Sequence, residues 1–387
     1  MPPIPSIPDV VPPTGDAAAL PDIAPQSGRC VLLAAFDIAA SIDLDLAQQL
    51  ITDAKERVAV RHSRKAPPYF TYTPPPLRIV RSAPVLRAGD FSTLPTVELV
   101  VFDFGAVSVR FRIDVDGSCS RLLALSEAVF DNAAIHEEAR RQVEQLLNAL
   151  SPAVRSPRID GRIEDYVIFH VGALAGGAAP SSLLSEHPVF LAQVLRAETG
   201  PLSSDEASDA LACRIVYSPS DAVLIDWNGA IVLDAELDDA LTVLEFANVQ
   251  LLELRFLDDR LDTQLEQSFD ALLRQEGRRR WLILPPPVRD LARIGRLQVD
   301  SALLFENVNN ALKLIGDQYL ARLYRLAATR FHLPERDETI GRKLRTLESI
   351  YEKMSDYQSG VRADLLEWII ILLIAISIVL PFLGIGK

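Results

Sequence analysis

The end of the chain constrains the fold most strongly, because a long apolar run follows a helical repeat without interruption. Residues 368–383 carry no charged side chain, and Ser377 is the only polar residue among them after Trp368. This composition is typical of a helix that crosses a bilayer, although the run is short and a buried core helix is the alternative. We therefore predict a transmembrane tail anchor over residues 364–387. The residues assigned to this anchor are Trp368, Ile369, Ile370, Leu373, Ile376, Val379 and Phe382.

Before this run, apolar residues recur at alternating spacings of three and four, which is typical of a packed helical seam. The first seam contains Leu244, Ala247, Leu251, Leu254, Asp258, Leu261, Leu265, Ser268 and Leu272. The last contains Ile340, Leu344, Leu347, Tyr351, Met354, Gln358, Val361, Leu365 and Trp368. The pattern predicts an antiparallel helical or coiled-coil stalk over residues 237–363. Asp258 and Gln358 are its polar positions, and we expect Arg322 or Arg325 to pair with Asp258.

A basic and aromatic cluster falls where the first stalk helix is expected to turn. Its candidate lipid-contact residues are Arg278, Arg279, Arg280 and Trp281. Three cations followed by an aromatic residue suit a lipid interface, and an ordinary solvated turn is the alternative.

The first half of the chain shows β patterns. Residues 1–27 are rich in proline and predict a disordered tail without a signal peptide. Residues 28–236 predict an α+β domain. Two hairpins within it resemble each other, one around Gly105 and one at Asn228-Gly229, and a helix follows each. The Asn-Gly pair predicts a type I′ turn. We expect two β-hairpin-helix units related by internal duplication.

A basic loop, residues 55–87, interrupts this domain, and its prolines exclude a long helix. The candidate contacts with RNA or an anionic lipid are Arg61, Arg64, Lys65, Tyr69 and Tyr72. A solvated connector is the alternative, because the whole chain has a net charge of -13 and its overall surface should not attract nucleic acid.

The sequence offers no catalytic motif. We find no phosphate-binding GxxxxGK[ST] loop, no HExxH zinc motif and no GxSxG nucleophile elbow. The 5 histidines are scattered without ligand spacing, and the 3 cysteines show no CxxC pattern and predict free thiols. We therefore predict no catalytic, cofactor-binding or metal-binding residues, no cofactor and no enzyme activity.

Three stretches resemble the "required for meiotic nuclear division" family, a domain-of-unknown-function family. They are the hairpin at residues 101–109, the helical region, and the closing residues 366–373. The resemblance implies oligomerisation, a single C-terminal span and, for eukaryotic relatives, support of mitochondrial translation. We expect no transit peptide in this chain, so a bacterial-type member is the better match.

Together these features predict a membrane-anchored, oligomeric scaffold or tethering protein, with its N-terminal domain in the cytoplasm and a single-pass C-terminal anchor. The expected partners are the lipid bilayer and further copies of the chain, with anionic lipid or RNA as candidates for the basic loops. The alternatives are a membrane-recruited RNA- or ribosome-associated factor and an oligomeric pore. An uncharged span makes the pore the weaker of the two.

Overall fold

The computed structural model describes residues 25–57, 74–115, 118–218, 220–279 and 318–382. The chain forms two compact units. Unit 1 contains residues 1–253 and 310–333, and unit 2 contains residues 254–309 and 334–387.

The secondary structure is mixed. The strands are β1 (Pro25–Asp37), β2 (Ser41–Ile42), β3 (Ala54–Arg57), β4 (Leu77–Ser82), β5 (Arg87–Ala88), β6 (Phe91–Ser92), β7 (Thr96–Val101), β8 (Ala106–Val115), β9 (Val154–Arg155), β10 (Glu164–Leu174), β11 (Arg214–Ile215), β12 (Ala222–Ile225) and β13 (Gly229–Leu233). The helices are α1 (Leu44–Leu50), α2 (Cys119–Val129), α3 (Ala133–Leu150), α4 (Ser182–Glu186), α5 (Pro188–Arg196), α6 (Ser204–Ala210), α7 (Asp238–Arg279), α8 (Gln318–Arg330) and α9 (Leu333–Phe382).

Polar residues and prolines set the helix starts. The Asp43 side chain accepts hydrogen bonds from the Asp45 and Leu46 amides at the start of α1. Asn132 caps α3 by accepting from the Ile135 amide. Pro188 occupies the first turn of α5, where its missing N–H costs nothing, and it lies between α4 and α5.

One 9-stranded mixed sheet organises unit 1, in the order β11-β12-β13-β10-β1-β8-β7-β4-β3. Neighbouring strands are antiparallel except β10 and β13, which are parallel. Two further pairs, β2 with β9 and β5 with β6, stand apart from this sheet.

The strand β1 lies at the centre of the sheet and pairs with β10 on one side and β8 on the other. Cys30, Leu32 and Phe36 enter the larger core, whereas Ala35 enters a smaller core on the opposite face. Because both faces of this strand are covered, its sequence is a continuous apolar run instead of an alternating one.

Helices cover both faces. The larger core includes side chains of α1 to α6, such as Leu125, Val143 and Leu191. The smaller core joins Phe102 and Phe104 of the β7–β8 turn to Phe246 of α7. Tyr324 of α8 packs against this second core.

A charged network ties α7 to the sheet within unit 1. Glu98 on β7 accepts two hydrogen bonds from Arg78, at 2.8 and 2.9 Å, and pairs with Arg112 at 2.6 Å. Arg110 on β8 lies 3.4 Å from Glu98 and donates from Nε to Glu245 of α7 at 2.7 Å. The negative charges of Glu98 and Glu245 therefore offset the positive charges of Arg78, Arg110 and Arg112, which the fold buries or half-buries.

The two predicted hairpins turn in different ways. Gly105 adopts a φ of 107°, and a Cβ there would lie 2.1 Å from the Ala39 carbonyl oxygen. At the second hairpin the predicted type I′ turn is wrong, because neither Asn228 nor Gly229 is among the described residues with positive φ. Gly229 is needed for a different reason: its Cβ position lies 2.9 Å from the Val167 carbonyl oxygen of the adjoining parallel strand.

The predicted fold class is wrong in its architecture. The two hairpins do not form separate hairpin-helix units, because β7–β8 and β12–β13 belong to one sheet on either side of the β1–β10 pair. Part of the range predicted as stalk forms α8, which belongs to unit 1. Within the described ranges, no helix is long and apolar enough to cross a membrane, which overturns the transmembrane helix.

Unit 2 contains the later part of α7 and most of α9. Leu257 and Leu261 on α7 are buried, as are Ile340, Leu347 and Met354 on α9. Lys343 of α9 donates to Asp258 at 2.6 Å and pairs with Asp262 at 2.6 Å. The Lys343 ammonium thus links the two helices of the unit.

Candidate functional site

The last helix exposes a block of large apolar side chains near its C-terminal end. We call residues 368–376 the apolar segment. Trp368 is 61% exposed and Leu373 is 60% exposed. The exposed large apolar residues of the segment are Trp368, Ile369, Ile370, Ile371, Leu372, Leu373, Ile374 and Ile376.

These residues follow one another almost without a gap, so they occupy every face of the helix. Successive helical residues are rotated by about 100°, and an amphipathic surface helix would alternate apolar and polar side chains over this length. Isolated exposed apolar residues are ordinary, but a contiguous block marks a surface that another molecule covers.

The earlier part of α9 differs. Ile340, Leu347 and Met354 recur at heptad spacing and are all buried in unit 2. Trp368 falls in the same heptad phase further along the helix, yet it is mostly exposed. The apolar heptad pattern therefore continues to Trp368, but the described residues bury it only in the earlier part of the helix.

The predicted membrane anchor is wrong, together with the predicted localisation as a single-pass membrane protein. Among the residues that the structure describes, no helix is both long and apolar enough to cross a bilayer. Trp368, Ile369, Ile370, Leu373 and Ile376 are exposed side chains of α9. The side chains of Val379 and Phe382 lie outside the described part of the chain.

Several other predicted site residues lie outside the described residues. The candidate lipid contacts Arg280 and Trp281 belong to the range 280–317, and the side chains of Arg278 and Arg279 are likewise not described. The candidate RNA contacts Arg61, Arg64, Lys65, Tyr69 and Tyr72 fall in the range 58–73. The side chain of Gln358 is also outside the description.

Asp258 has a partner, although not the expected one. Its carboxylate accepts from Lys343, and Arg322 and Arg325, the expected partners, belong to a helix of unit 1. Burial alone would lower the pKa of Lys343, but its bonds to Asp258 and Asp262 raise it above the ordinary value.

An ion-pair cluster in unit 1 has no sequence signal. Asp226, whose side chain is 1% exposed, follows β12 and accepts from Arg330 of α8 at 2.8 Å. The Arg196 Nε lies 3.0 Å from the same carboxylate. Asp209 of α6 accepts from Arg196 at 2.6 Å and from Arg330 at 2.7 Å. Because α5, α6, α8 and the β12–β13 turn meet here, the cluster acts as a structural link.

The pKa values in this cluster follow from burial and the two guanidinium groups. Burial raises the pKa of Asp226, against the effect of the Arg330 hydrogen bond. The hydrogen bond from Arg330 lowers the pKa of the more exposed Asp209. Trp227, 55% exposed, lies beside Arg196 with 5.9 Å between the guanidinium carbon and the ring centroid.

A second buried carboxyl lies at the end of unit 1. Glu253 is 1% exposed, and neither of its carboxyl oxygens has a hydrogen-bond partner among the described residues. Burial raises its pKa well above the usual range, and the nearby charge of Asp37 raises it further. Asp37 itself is held by Arg158 through bonds of 2.6 to 3.0 Å.

Metal ligands do not assemble in the described ranges, where no group of three or more His, Cys, Asp or Glu side chains could hold an ion. Cys30 and Cys213 are free thiols. The described side chains thus offer an interaction surface, ion-pair links and a buried acid.

The fold and this surface define an α+β protein with a 9-stranded mixed sheet and a long last helix that exposes an apolar segment. By sequence the chain belongs to the family of the "Uncharacterized protein MJ0711, N-terminal domain", whose match covers residues 27–240. Uncharacterized protein MJ0711 of Methanocaldococcus jannaschii is 26% identical over 239 residues, which cover 61% of this chain and 71% of that protein. No solved structure matches the chain.

These matches confirm a domain of unknown function and do not identify the meiotic nuclear division family. The family match covers most of the sheet and α1 to α6. The apolar segment lies beyond the matched residues.

Proposed function

We propose that the protein is an oligomeric scaffold or tethering protein, acting without catalysis, whose copies associate through the apolar segment of α9. The observation that carries this proposal is the block of exposed apolar residues from Trp368 to Ile376. The occupant that we assign to this surface is the same segment of other copies of the chain.

The heptad phase supports self-association. A seam already buried at Ile340, Leu347 and Met354 reaches Trp368 without changing face, as in helices that continue into a bundle. Burying one Leu or Ile side chain is favourable by about 1.5–3 kcal/mol, so a block of this size offsets the entropy lost on association.

The all-round distribution of apolar residues points to more than a dimer. A two-stranded coiled coil covers one stripe of each helix, whereas a helix that is apolar on every face needs neighbours on several sides. Three or more copies of the segment packed together satisfy this requirement.

The length of α9 suits a tether. Its 50 residues extend roughly 75 Å at about 1.5 Å per residue. The apolar segment begins about 50 Å along the helix from Leu333. An assembly formed there would hold the starts of its helices far from the point of association.

The finer resemblance to the "required for meiotic nuclear division" family is consistent with this proposal, because relatives in that family oligomerise. An RNA- or ribosome-associated role is the alternative, and it rests on the basic loop, residues 55–87, instead of on that resemblance. It depends on Arg61, Arg64 and Lys65, which lie outside the described ranges.

The test is the mass of the full chain in solution, measured by light scattering after size exclusion. We expect a discrete species of at least three times the chain mass of 42.6 kDa for the wild type. Ile370→Asp combined with Leu373→Asp should give monomers, because each carboxylate would be buried without a partner.

The matched control is Asp356→Lys, a charge change at an exposed position of the same helix outside the segment. It should retain the wild-type mass. Circular dichroism should show that all variants keep their helix content. A monomeric wild type, or an assembly that survives the double substitution, would rule out the proposal.

A further inference from the structure

A cavity of about 570 Å³ lies in unit 1, at a place to which the proposed scaffold function assigns nothing. It lies between α4, α5 and α6, beside the short strand β11. The residues lining it are Ala179, Ser181, Ser182, Leu184, Ser185, Pro188, Val189, Ser204, Ala207, Ser208, Leu211, Arg214 and Val216. Its volume is in the range of pockets that hold small organic molecules, about 300–1,000 Å³.

The lining divides into an apolar wall and a few polar groups. Leu184, Val189 and Leu211 supply part of the apolar wall, and Arg214 is the only charged residue among those that line the cavity. A mostly apolar pocket with few polar groups binds the body of a ligand by burial and fixes its orientation through the polar atoms.

Arg214 is available for an anion. Its Nη1 donates to the Leu211 carbonyl at 3.4 Å, and it forms no ion pair with the described residues. The contrast with Arg196 and Arg330 is clear, because both of those guanidinium groups are neutralised by Asp209 and Asp226. A guanidinium has five N–H donors, so most of the donors on Arg214 remain for a ligand.

We propose that this cavity binds an amphipathic organic anion, a monocarboxylate with an unbranched hydrocarbon body. The carboxylate pairs with Arg214, and the hydrocarbon chain lies along Leu184, Val189 and Leu211. All of the lining residues fall within the range 27–240 that matches the family, whereas the apolar segment of α9 does not. The cavity therefore belongs to the family domain.

Calorimetric titration of the full chain with decanoate tests the proposal, with 1-decanol as the uncharged ligand of equal length. We expect decanoate to bind the wild type at least tenfold more tightly than 1-decanol, since only decanoate can pair with Arg214. Arg214→Gln should weaken decanoate binding by about tenfold or more and leave 1-decanol binding unchanged. Ala207→Phe, which places a ring in the cavity, should abolish the binding of both.

Two controls separate the cavity from other surfaces. Arg155→Gln removes an exposed arginine that does not line the cavity, and it should bind decanoate like the wild type. The Ile370→Asp/Leu373→Asp chain should also bind decanoate normally, which excludes adsorption to the apolar segment. This outcome is independent of whether the chain self-associates.

The proposal is overturned if decanoate does not bind the wild type, if Arg214→Gln binds it equally well, or if Ala207→Phe leaves its affinity unchanged. Equal weakening of decanoate and 1-decanol by Arg214→Gln would also overturn the assigned role of the guanidinium. Thermal unfolding of each variant checks that loss of binding does not reflect loss of the fold.

Discussion

At the scale of single residues, unit 1 contains two buried carboxyl groups, Glu98 and Glu253, whose surroundings differ. Glu98 is surrounded by arginines, and although burial raises its pKa, the Arg78 hydrogen bonds and the nearby guanidinium charges hold that pKa below the usual value. Glu253 has no hydrogen-bonding partner among the described residues, and burial raises its pKa well above the usual range. The two carboxyl groups therefore make opposite contributions to the pH dependence of stability.

Glu253 should make the protein less stable as pH rises. Above the carboxyl pKa of the unfolded chain, about 4.3, the unfolded state loses its proton while folded Glu253 keeps it. The free energy of unfolding then falls with pH up to the raised folded pKa. The charges of Asp37 and Asp160 also raise the pKa of Glu253, whereas the charge of Arg158 lowers it.

Replacing Glu253 by Gln should remove this component. We expect equal stability to the wild type near pH 4 and greater stability at pH 8, by on the order of 1 kcal/mol or more. Urea unfolding at a series of pH values measures the difference. Glu127→Gln, at an exposed position of α2, should leave the pH dependence unchanged. Parallel curves for wild type and Glu253→Gln would contradict a protonated Glu253.

Removing the charge of Glu98 should have the opposite effect. Glu98→Gln leaves Arg78, Arg110 and Arg112 with only the Glu245 carboxylate, so we expect a loss of about 3–5 kcal/mol in the free energy of unfolding. The double variant Glu98→Gln/Arg112→Gln should lose less than the sum of the single changes, because it removes one uncompensated cation. Additive losses in chemical denaturation would show that the network is not coupled.

At the scale of elements, the sequence predicted the β7–β8 hairpin and the long helical stretches but not the reason for every turn. The hairpin around Gly105 and the seams that fall in α7 and α9 follow from apolar patterns. The Asn-Gly pair was misinterpreted, because Gly229 is required by the approach of β10 and not by its own φ. Such a requirement depends on a partner strand that local sequence does not reveal.

Gly105 gives the sharpest test at this scale. An alanine there would combine a φ of 107° with a Cβ placed 2.1 Å from the Ala39 carbonyl oxygen. Gly105→Ala should therefore lower the free energy of unfolding by about 3 kcal/mol or more. Gly161→Ala is the matched control, since nothing lies within 4 Å of its added Cβ, and it should change stability by less than about 0.5 kcal/mol. Similar losses for both variants in urea unfolding would refute the steric explanation.

At the scale of the whole molecule, the strand order and the division into units could not be predicted from the sequence. Periodicity identifies which face of a strand is buried but not which strands are neighbours, so the parallel pairing of β10 with β13 was missed. The cavity was also missed, because its lining comes from α4, α5, α6 and β11 without a shared motif. The apolar run at the end of the chain suggested a membrane protein, and the described helices do not support it.

The central position of β1 has a consequence for synthesis of the chain. Its partner β8 emerges from the ribosome well after it, and its other partner β10 follows roughly 130 residues behind, as the pairing of Ala35 with Glu164 indicates. Translation adds about 5–20 residues per second, so β10 is synthesised on the order of 10 s after β1. The edge of β1 that pairs with β10 stays unpaired during this time. The nascent chain therefore exposes this apolar strand before its partners are made, and a chaperone that shields residues 30–36 should raise the yield of folded protein.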